Sequence, residues 1–465
     1  MRRGSVLLLT SGLLLAGCDM APKYVRPIAP APATWPTGDA YAPADSATAS
    51  VGLPWQSLIT DARLTQVIGM ALATNRDLRV ALANVASARA QYRVQRSAQL
   101  PTVTAGADAT FARGDQQNYA ADIGLSSFEI DLFGRVRNLS RAALEDYLAS
   151  EEGARSTHIT LIAETATAYA TLAADQDLLK VSQDTVASAE RSLRITTQLN
   201  GAGLVGKQDV HQAETILAQA RSDVEANTTQ VAQDRNALDL LVGAPVDAAL
   251  LPVSLDDLAR GVGMVPAGLS SDVLLDRPDV LQAEHQLKAA NADIGAARAA
   301  FFPKISLTSL VGFASTALSS LFTHDGFAWS ATPAATLPIF GGANAGNLAY
   351  SKAQRDLYLA QYEKAVQTAF REVADALARA GTIDRQQSAQ TQLVTASANS
   401  YAIADQRYKA GIDTYLNQLD AQRTLYAARQ SAIATALISV TNRVTLYRVI
   451  GNDGPAQPVG AGLHK

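Results

Sequence analysis

Four segments of the chain alternate between apolar and polar residues with a period of two, which is the pattern of a β-strand whose two faces meet different surroundings. We predict strands over residues 101–112, 119–131, 303–315 and 327–339. In the first of them Val103, Ala105, Ala107, Ala109 and Phe111 alternate with Thr102, Thr104, Gly106, Asp108 and Thr110. Lengths of about 11 to 13 residues suit a tilted strand that crosses a membrane, although a half-buried strand of a soluble sheet shows the same alternation.

Two further segments, Arg135–Leu199 and Gly342–Tyr408, contain no proline and place apolar residues three and four positions apart. At 1.5 Å per residue, each predicted helix would be about 100 Å long, several times the ordinary length. The apolar seams contain many alanines, which favours closely packed coiled-coil helices. One seam comprises Ile159, Ile162, Ala166, Tyr169 and Ala173, and another comprises Val366, Ala369, Val373, Ala376 and Ala380.

The second half of the chain repeats the design of the first, with a helix, two strands, a very long helix, a tight turn and another long helix. Corresponding features lie 202, 207 and 208 residues apart at Pro101 and Pro303, at Gly134 and Gly341, and at Gly203 and Gly411. We therefore interpret the chain as an internal duplication. Four strands cannot close a barrel, and open strand edges cannot lie in lipid, so several copies must assemble. Three copies supply twelve strands around a water-filled lumen.

The amino terminus predicts export and a lipid anchor. Two arginines, a short apolar run and small residues form a secretory signal over residues 1–17 that is too short to span a bilayer as a helix. Leu15-Ala16-Gly17-Cys18 is similar to a bacterial lipobox, in which Cys18 becomes the lipidated first residue. Cys18 is the only cysteine, which excludes an internal disulfide and a cysteine metal site. The formal net charge of −4 does not favour nucleic-acid binding.

The stretch "NGAGLVGKQD", residues 200–209, fits two glycine patterns of nucleotide-binding loops. Both patterns require a strand before the loop, whereas a long helix-like run precedes this one. Gln208 also stands where a phosphate-binding loop needs a serine or threonine hydroxyl. We therefore interpret the glycines as a turn between two helices.

Several long motifs resemble the TolC-like outer-membrane efflux channels, in their lipoprotein branch. They include "VLLDRPDVLQAEHQLKAANADIGAARAAFFPKISLTSLVGFAS", "YKAGIDTYLNQLDAQRTLYAARQ" and "PKYVRPIAP", the last just after Cys18. The resemblance covers essentially the whole mature chain. It implies a mixed α and β fold, in which a trimeric twelve-stranded barrel in the outer membrane continues into a periplasmic α-helical coiled-coil barrel, with an equatorial domain.

The resemblance also implies the function and the partners. A homotrimer would dock onto a periplasmic adaptor protein and an inner-membrane pump of the resistance, nodulation and division class. Drugs or other small solutes would leave passively through the lumen, as in multidrug resistance. No catalysis, cofactor, metal or nucleic acid is implied, and the chain has only five histidines and no GxSxG motif.

The residues of the channel's closed tip follow from the same resemblance. The docking tips for the adaptor map onto Gly201, Gly203, Leu204, Val205, Gly206, Gly411 and Ile412, and the periplasmic gate onto Leu416, Asp420, Arg423 and Asp209. Three copies of Asp420 would form a carboxylate ring, with Leu416 as an apolar constriction. Asp209 would pair with a cation of another helix. Spacing alone favours a solvated i, i+3 pair of Asp420 and Arg423, worth under about 1 kcal/mol, and only the resemblance favours the gate.

Together these predictions divide the chain into a signal peptide (1–17), a lipidated extended segment (18–58), a first repeat (59–242), an equatorial linker (243–270), a second repeat (271–450) and a C-terminal tail (451–465). The first repeat contains a β-hairpin at 101–131 and a long helical hairpin at 135–242. The second repeat contains a β-hairpin at 303–339 and a long helical hairpin at 342–450.

Two alternatives stay open. The channel could serve type I protein secretion or metal efflux, although a chain with four methionines disfavours a methionine-lined metal path. A non-pore periplasmic coiled-coil lipoprotein scaffold is the alternative of another class. Asp19 departs from expectation, because an aspartate after the lipidated cysteine tends to hold lipoproteins at the inner membrane of enteric bacteria, so outer-membrane placement depends on the strands.

Overall fold

The computed structural model describes residues 19–41, 54–112, 116–264 and 271–451 of the 465-residue chain. The predicted signal peptide, Cys18 and most of the predicted C-terminal tail lie outside the described residues. The described chain forms two compact units, each assembled from both predicted repeats. Unit 1 contains described residues within 19–30, 83–153 and 279–365, and unit 2 contains those within 31–82, 154–278 and 366–451.

Helices account for most of the described chain. In chain order they are α1 (Trp55–Leu58), α2 (Ala62–Thr74), α3 (Arg76–Ser97), α4 (Arg135–Gly201), α5 (Lys207–Val242), α6 (Leu255–Arg260), α7 (Pro278–Ala299), α8 (Ala343–Lys409) and α9 (Tyr415–Ile450). α4 and α8 both have 67 residues, and α5 and α9 both have 36. These equal lengths are what an internal duplication produces. No helix in the described ranges combines the length and the hydropathy that a membrane-spanning helix requires.

The four strands form one antiparallel sheet in unit 1, in the order β1-β2-β3-β4. They are β1 (Val103–Ala112), β2 (Gln116–Ile130), β3 (Lys304–Ser315) and β4 (Phe327–Thr336). The register aligns Ala105, Ile123, Val311 and Trp329 in one row across all four strands. Ile123, Val311 and Trp329 are exposed. The alternation in the sequence therefore produces an apolar face that lies open in a single copy of the chain.

Two strand boundaries differ from the prediction by three residues, and the others by no more than two. β4 ends at Thr336 rather than at the predicted Ile339, because β3 begins at Lys304, directly opposite Thr336, and offers the next residues no ladder partner. β2 begins at Gln116 rather than at the predicted Tyr119, because β1 extends to its partner position at Ala112. The paired length of a hairpin, and not the alternation of one strand, determines these ends.

The main apolar core of unit 2 is formed by α2, α4, α5, α6 and α9. Its fully buried members include Leu64, Ile68, Ile162, Leu238 and Leu255. Because the long helices bury alanine-rich seams, neighbouring helices can pack closely. The seam residues predicted on α4, from Ile159 to Ala173, lie in this core.

Polar side chains fix where the shorter helices of unit 2 begin. The Asp61 carboxylate accepts a hydrogen bond from the backbone N–H of Leu64 at 2.7 Å and caps α2. Buried Asn75 caps α3 in the same way, by accepting from the N–H of Leu78 at 2.8 Å. The Asn75 amide also donates to the carbonyl of Leu241 at 2.8 Å, which ties the turn between α2 and α3 to the end of α5.

A buried arginine holds the residues just before α7. The Arg277 guanidinium forms an ion pair with Glu372 of α8 at 2.9 Å and donates to the carbonyl of Val449 in α9 at 2.6 Å. Only 6% of the Arg277 side chain is exposed. A buried charge is stable only when it is paired and hydrogen-bonded, so this contact specifies how α8 and α9 meet in unit 2.

Candidate functional site

The two long helices of each predicted repeat are joined by a tight turn, and the two turns share one hydrogen-bond pattern. In the first turn the N–H of Leu204 donates to the carbonyl of Leu199 at 2.9 Å. In the second turn the N–H of Ile412 donates to the carbonyl of Arg407 at 2.9 Å. Both bonds span five residues, as in the Schellman motif that ends many helices.

A glycine at the same place in each turn makes the pattern possible. Gly203 has φ +73° and Gly411 has φ +68°, a left-handed conformation that side chains disfavour. Gly201 is the last residue of α4, and Gly206 directly precedes α5. A 67-residue helix therefore precedes the glycine-rich stretch, so the strand that a phosphate-binding loop requires is absent from this place.

The turns present apolar side chains. Leu204 is 71% exposed and Ile412 is 64% exposed, at positions 208 residues apart in the two repeats. Val205 is half-buried beside Leu204, and its carbonyl accepts a hydrogen bond from the Asn200 amide at 2.8 Å. Each helical hairpin therefore ends in an ordered turn with one large apolar side chain on its surface.

The second turn also contains an ion pair with two hydrogen bonds. The Arg407 Nε donates to one carboxylate oxygen of Asp413 at 2.6 Å, and Nη2 donates to the other at 3.0 Å. This guanidinium holds the pKa of the Asp413 carboxyl below its ordinary value. The arginine thus fixes the end of α8 to the residues that lead into α9.

A buried aromatic cluster lies behind the turns. The rings of Tyr408 and Tyr415 lie 5.5 Å apart and pack with Leu419 and Ala213. The Tyr408 hydroxyl lies 2.8 Å from the Thr196 hydroxyl of α4. Burial raises the pKa of Tyr415 to about 12, so its phenol stays neutral. The cluster connects all four long helices near the two turns.

The three gate residues predicted on α9 lie on one exposed stripe. Leu416 is 60% exposed, and Asp420 and Arg423 are exposed as well. On the neighbouring face of the same helix turns, Tyr415 and Leu419 are buried. Asp420 and Arg423 form no ion pair with each other in the described part of the chain. Asp420 instead borders a groove of about 550 Å³ between α8 and α9, together with Ile403, Arg407, Asp413 and Thr424.

Asp209 lies at the first turn, but within one chain it has another partner than the predicted cation. Its carboxylate accepts a hydrogen bond from the N–H of Gly206 at 3.3 Å, and its own N–H donates to the Gly206 carbonyl at 3.2 Å. Asp209 therefore caps the start of α5. The predicted ion pair with another helix stays a prediction for the assembled protein.

The sequence patterns predicted neither the ion pair of Arg407 and Asp413 nor the packing of Tyr408 against Tyr415. A signal was present in "RYKAGIDTY", where an acid follows an arginine across a glycine turn. Recognising the pair requires the geometry of the turn, which brings together residues six positions apart. In the described ranges no group of three or more histidine, cysteine, aspartate or glutamate residues is arranged to hold a metal ion.

The chain is similar to a known protein family over both predicted repeats. The family profile described as outer membrane efflux protein matches residues 67–244 and 269–452. Both helical turns and all four strands lie inside the matched ranges.

Two relatives from Pseudomonas putida show how far the similarity extends. They are the antibiotic efflux pump outer membrane protein ArpC and the toluene efflux pump outer membrane protein TtgC. Each is 43% identical over 465 aligned residues, covering 97% of this chain and 96% of the relative.

A solved structure has the same fold. The open state of the MtrE outer membrane channel from Neisseria gonorrhoeae superimposes with a TM-score of 0.84 at 35% identity. The similarity covers 94% of this chain and 98% of that one.

Proposed function

The chain belongs to the family of outer membrane efflux proteins, and on this premise we propose that a homotrimer of it is the exit channel of a tripartite efflux pump for small apolar compounds. The observation that carries the proposal is the open four-stranded sheet inside a chain that matches the family over both repeats. The channel lies in the bacterial outer membrane and receives its cargo from a periplasmic adaptor and an inner-membrane pump of the resistance, nodulation and division class.

The sheet explains why three copies are needed. β1 and β4 are its outer strands, so one edge of each has no ladder partner within the described chain. Unpaired backbone groups are very unfavourable in lipid, and pairing β4 of one copy with β1 of the next satisfies them. Twelve strands then close around an aqueous lumen, with the row of Ile123, Val311 and Trp329 toward the lipid.

The exported compounds follow from the relatives and from the physics of a passive duct. Two relatives are named for the efflux of antibiotics and of toluene, and we propose the same broad class of small apolar molecules here. The pump supplies the energy. The channel itself needs no catalysis and no cofactor.

The stripe of Leu416, Asp420 and Arg423 is proposed as the periplasmic gate. An exposed carboxylate and an exposed leucine share one face of α9 that the chain's own helices leave uncovered. Around a threefold axis, Asp420 would form a ring of three carboxylates and Leu416 a ring of apolar side chains one turn away. Asp209 supports the gate by capping α5 beside it.

The two turns are proposed as the surface that docks the adaptor. Gly201, Gly203 and Gly206 shape the first turn and Gly411 the second, while Leu204, Val205 and Ile412 supply apolar contacts. We further propose that Cys18 carries the lipid anchor, and that residues 243–264 of unit 2 belong with residues 31–41 and 54–58 of the same unit to an equatorial domain.

Single-channel conductance in planar bilayers tests the gate. The purified native trimer would be compared with Asp420→Ala and with Glu225→Ala, which removes an exposed carboxylate from α5. We expect small, rare openings for the native protein and for Glu225→Ala, and larger or more frequent openings for Asp420→Ala. Equal conductance in all three would place the constriction elsewhere. Folded native trimers that form no channels would overturn the channel function itself.

A further inference from the structure

An extended segment near the amino terminus lies on one stripe of α7 in unit 1. The segment is residues 19–26, which we call the strap. The stripe consists of Glu284, Lys288, Asn291, Gly295 and Arg298, which recur at steps of four, three, four and three and so share one face of the helix. We call these five residues the α7 stripe.

Each part of the strap meets a matching residue of the stripe. The carbonyl of Met20 accepts a hydrogen bond from Arg298 Nη1 at 3.2 Å, and the carbonyl of Pro22 accepts one from the Asn291 amide at 2.7 Å. Strap and helix therefore run in opposite directions. These bonds satisfy backbone groups of a segment that has no regular structure of its own.

Glu284 lies at the far end of the α7 stripe, where the strap ends. Its side chain is 3% exposed, accepts from the Tyr24 hydroxyl at 3.1 Å and from Arg26 Nε at 3.0 Å, and lies 3.0 Å from the Lys288 ammonium. Although burial alone would raise its pKa, Arg26 and Lys288 hold the pKa of Glu284 below its ordinary value. Two of the three residues that partner the buried carboxylate, Tyr24 and Arg26, therefore belong to the strap.

Gly295 sets the closeness of the approach. A Cβ added at this position would lie 2.8 Å from the Cα of Ala21, closer than side-chain carbons pack. The lengths also agree, because the fourteen helical steps from residue 284 to residue 298 rise about 21 Å and the six extended steps from residue 20 to residue 26 span about 20 Å. The register of the strap is therefore fixed along its whole length.

Asp19 ends the strap on a second helix. Its carboxylate accepts from the Asn138 amide at 2.9 Å and from Arg141 Nη1 at 2.9 Å, both on α4. Burial raises its pKa, but the N–H of Ala21 together with Asn138 and Arg141 more than offsets this and leaves the pKa lowered. The residue next to the proposed lipidation site is thus bound at a defined place, between α4 and α7.

We propose that the α7 stripe is the docking seat of the strap, and that the seated strap fixes the point of unit 1 at which the lipid anchor enters the membrane. Asp19 then serves as the terminal contact of this seat. Because the strap contacts both α4 and α7, it can bind only after these helices have paired. A strap bound in its register therefore indicates that unit 1 has folded. The role of the anchor rests on lipidation at Cys18, whereas the seat itself does not.

Trypsin tests the seat on the intact protein, because Lys23 offers a cleavage site inside the strap while Pro27 protects the bond after Arg26. The purified trimer would be compared with Glu284→Gln, which weakens the far end, and with Gly295→Val, which crowds Ala21. Val25→Ala, at a strap residue that is 74% exposed, and Gly346→Val, at a helical glycine with open space around it, are the matched controls. We expect at least tenfold faster cleavage after Lys23 in the two seat variants and native rates in the controls.

The same five proteins test separately the seat, the lipid anchor and the role of the strap in anchoring. Equal cleavage in all five proteins would overturn the seat, and Glu284→Gln keeps this test available if Gly295→Val does not fold. If the peptide released by cleavage after Lys23 has no added mass from a lipid, the proposed lipidation and the anchor would be wrong. The proposed seat would still stand. Seat variants should yield less outer-membrane trimer with unchanged single-channel conductance. Unchanged trimer yield despite rapid cleavage would overturn the role in anchoring.

Discussion

Arg407 and Asp413 bind each other across the turn between α8 and α9, with both carboxylate oxygens held by one guanidinium at 2.6 and 3.0 Å. The first repeat lacks this pair, because Leu199 and Val205 occupy the corresponding positions 208 residues earlier. There the Asn200 amide binds the carbonyl of Val205 instead. The two repeats therefore share a turn but differ in the contact that stabilises it, and the charged version lies beside the proposed gate.

Replacing the arginine should loosen the second turn alone. In Arg407→Gln we expect the backbone amides of Ile412 and Asp413 to exchange hydrogen at least several-fold faster, while Leu204 in the first turn keeps its native rate. Hydrogen exchange followed by mass spectrometry measures both turns in one sample. Arg194→Gln, an exposed arginine of α4, should behave as the native chain does.

The ion pair also predicts a pH dependence. The pKa of Asp413 is lowered in the folded chain, so the pair stabilises the turn above the ordinary aspartate pKa of about 4 and is lost as the pH falls through the lowered value. Exchange at Ile412 should therefore accelerate below about pH 4 in the native chain beyond its intrinsic pH trend. Arg407→Gln should lack this additional acceleration, and an identical profile in both proteins would contradict the assignment.

The exposed apolar side chains of the turns should determine adaptor binding. Burying one leucine or isoleucine contributes about 1.5 to 3 kcal/mol, which corresponds to about tenfold or more in affinity. Leu204→Asp and Ile412→Asp should each weaken binding of the purified adaptor by at least that factor in a surface-binding assay. Gln208→Asp introduces the same charge at an exposed polar position and should change affinity less than threefold. Native affinity in both turn variants would place the docking surface elsewhere.

Two glycines of the sheet provide a matched steric test. A Cβ at Gly124 would lie 2.1 Å from the carbonyl oxygen of Ser309 on the neighbouring strand, whereas a Cβ at Gly106 would meet only Asp122 Oδ1 at 3.9 Å. We expect Gly124→Ala to abolish the trimer that resists dissociation on unheated gels, and Gly106→Ala to preserve it. Similar trimer levels in both variants would mean that β2 and β3 can separate more easily than the register indicates.

The buried arginine before α7 should be important for stability. Arg277→Met leaves Glu372 and the carbonyl of Val449 without their donor, and removing one partner of a buried ion pair typically costs about 3 to 5 kcal/mol. We expect a clearly lower thermal midpoint when the loss of helix is followed by circular dichroism. Arg379→Met, on an exposed position of α8, is the control and should stay within a few degrees of the native midpoint.

The carboxyl of Asp175 predicts a dependence of stability on pH that is opposite to the one predicted for Asp413. Burial and a hydrogen bond with Asp234 raise the pKa of Asp175 to about 7. Because the folded pKa lies above the unfolded one, the folded state binds the proton more tightly, so stability decreases as the pH rises from about 4 to about 7. Asp175→Asn should flatten the thermal midpoint over this range and raise it above the native value once the pH exceeds about 7. A midpoint that still falls equally with pH would assign the effect to other groups.

The sequence predicted elements better than it predicted contacts. The absence of proline from Arg135 to Leu199 was sufficient to locate α4 to within two residues of its end at Gly201. The end of β4 was wrong, because it depends on where the partner strand begins. Arg277 lies inside a quoted motif, yet its partners Glu372 and Val449 are distant in sequence and no local pattern indicates them.

The position of the strap on α7 could not be predicted from the sequence either. The sequence predicted only a lipidated extended segment over residues 18–58, and nothing in residues 19–26 themselves indicates the helix on which they lie. The stripe from Glu284 to Arg298 has helical spacing, but its mixture of charged, amide and glycine residues does not resemble an apolar seam. An extended segment without periodicity gives no register, so only the folded structure could align it.

Because β1 and β4 have open edges, the stability of the sheet depends on the concentration of chains in the membrane. A chain at high dilution in the membrane has no way to complete its ladders, whatever its sequence, so its β-structure should form with a steep dependence on the number of chains per membrane area. Doubling the surface density of chains would then raise the rate of closure far more than twofold. Expression level, and not only sequence, would decide how much of this protein reaches its final form.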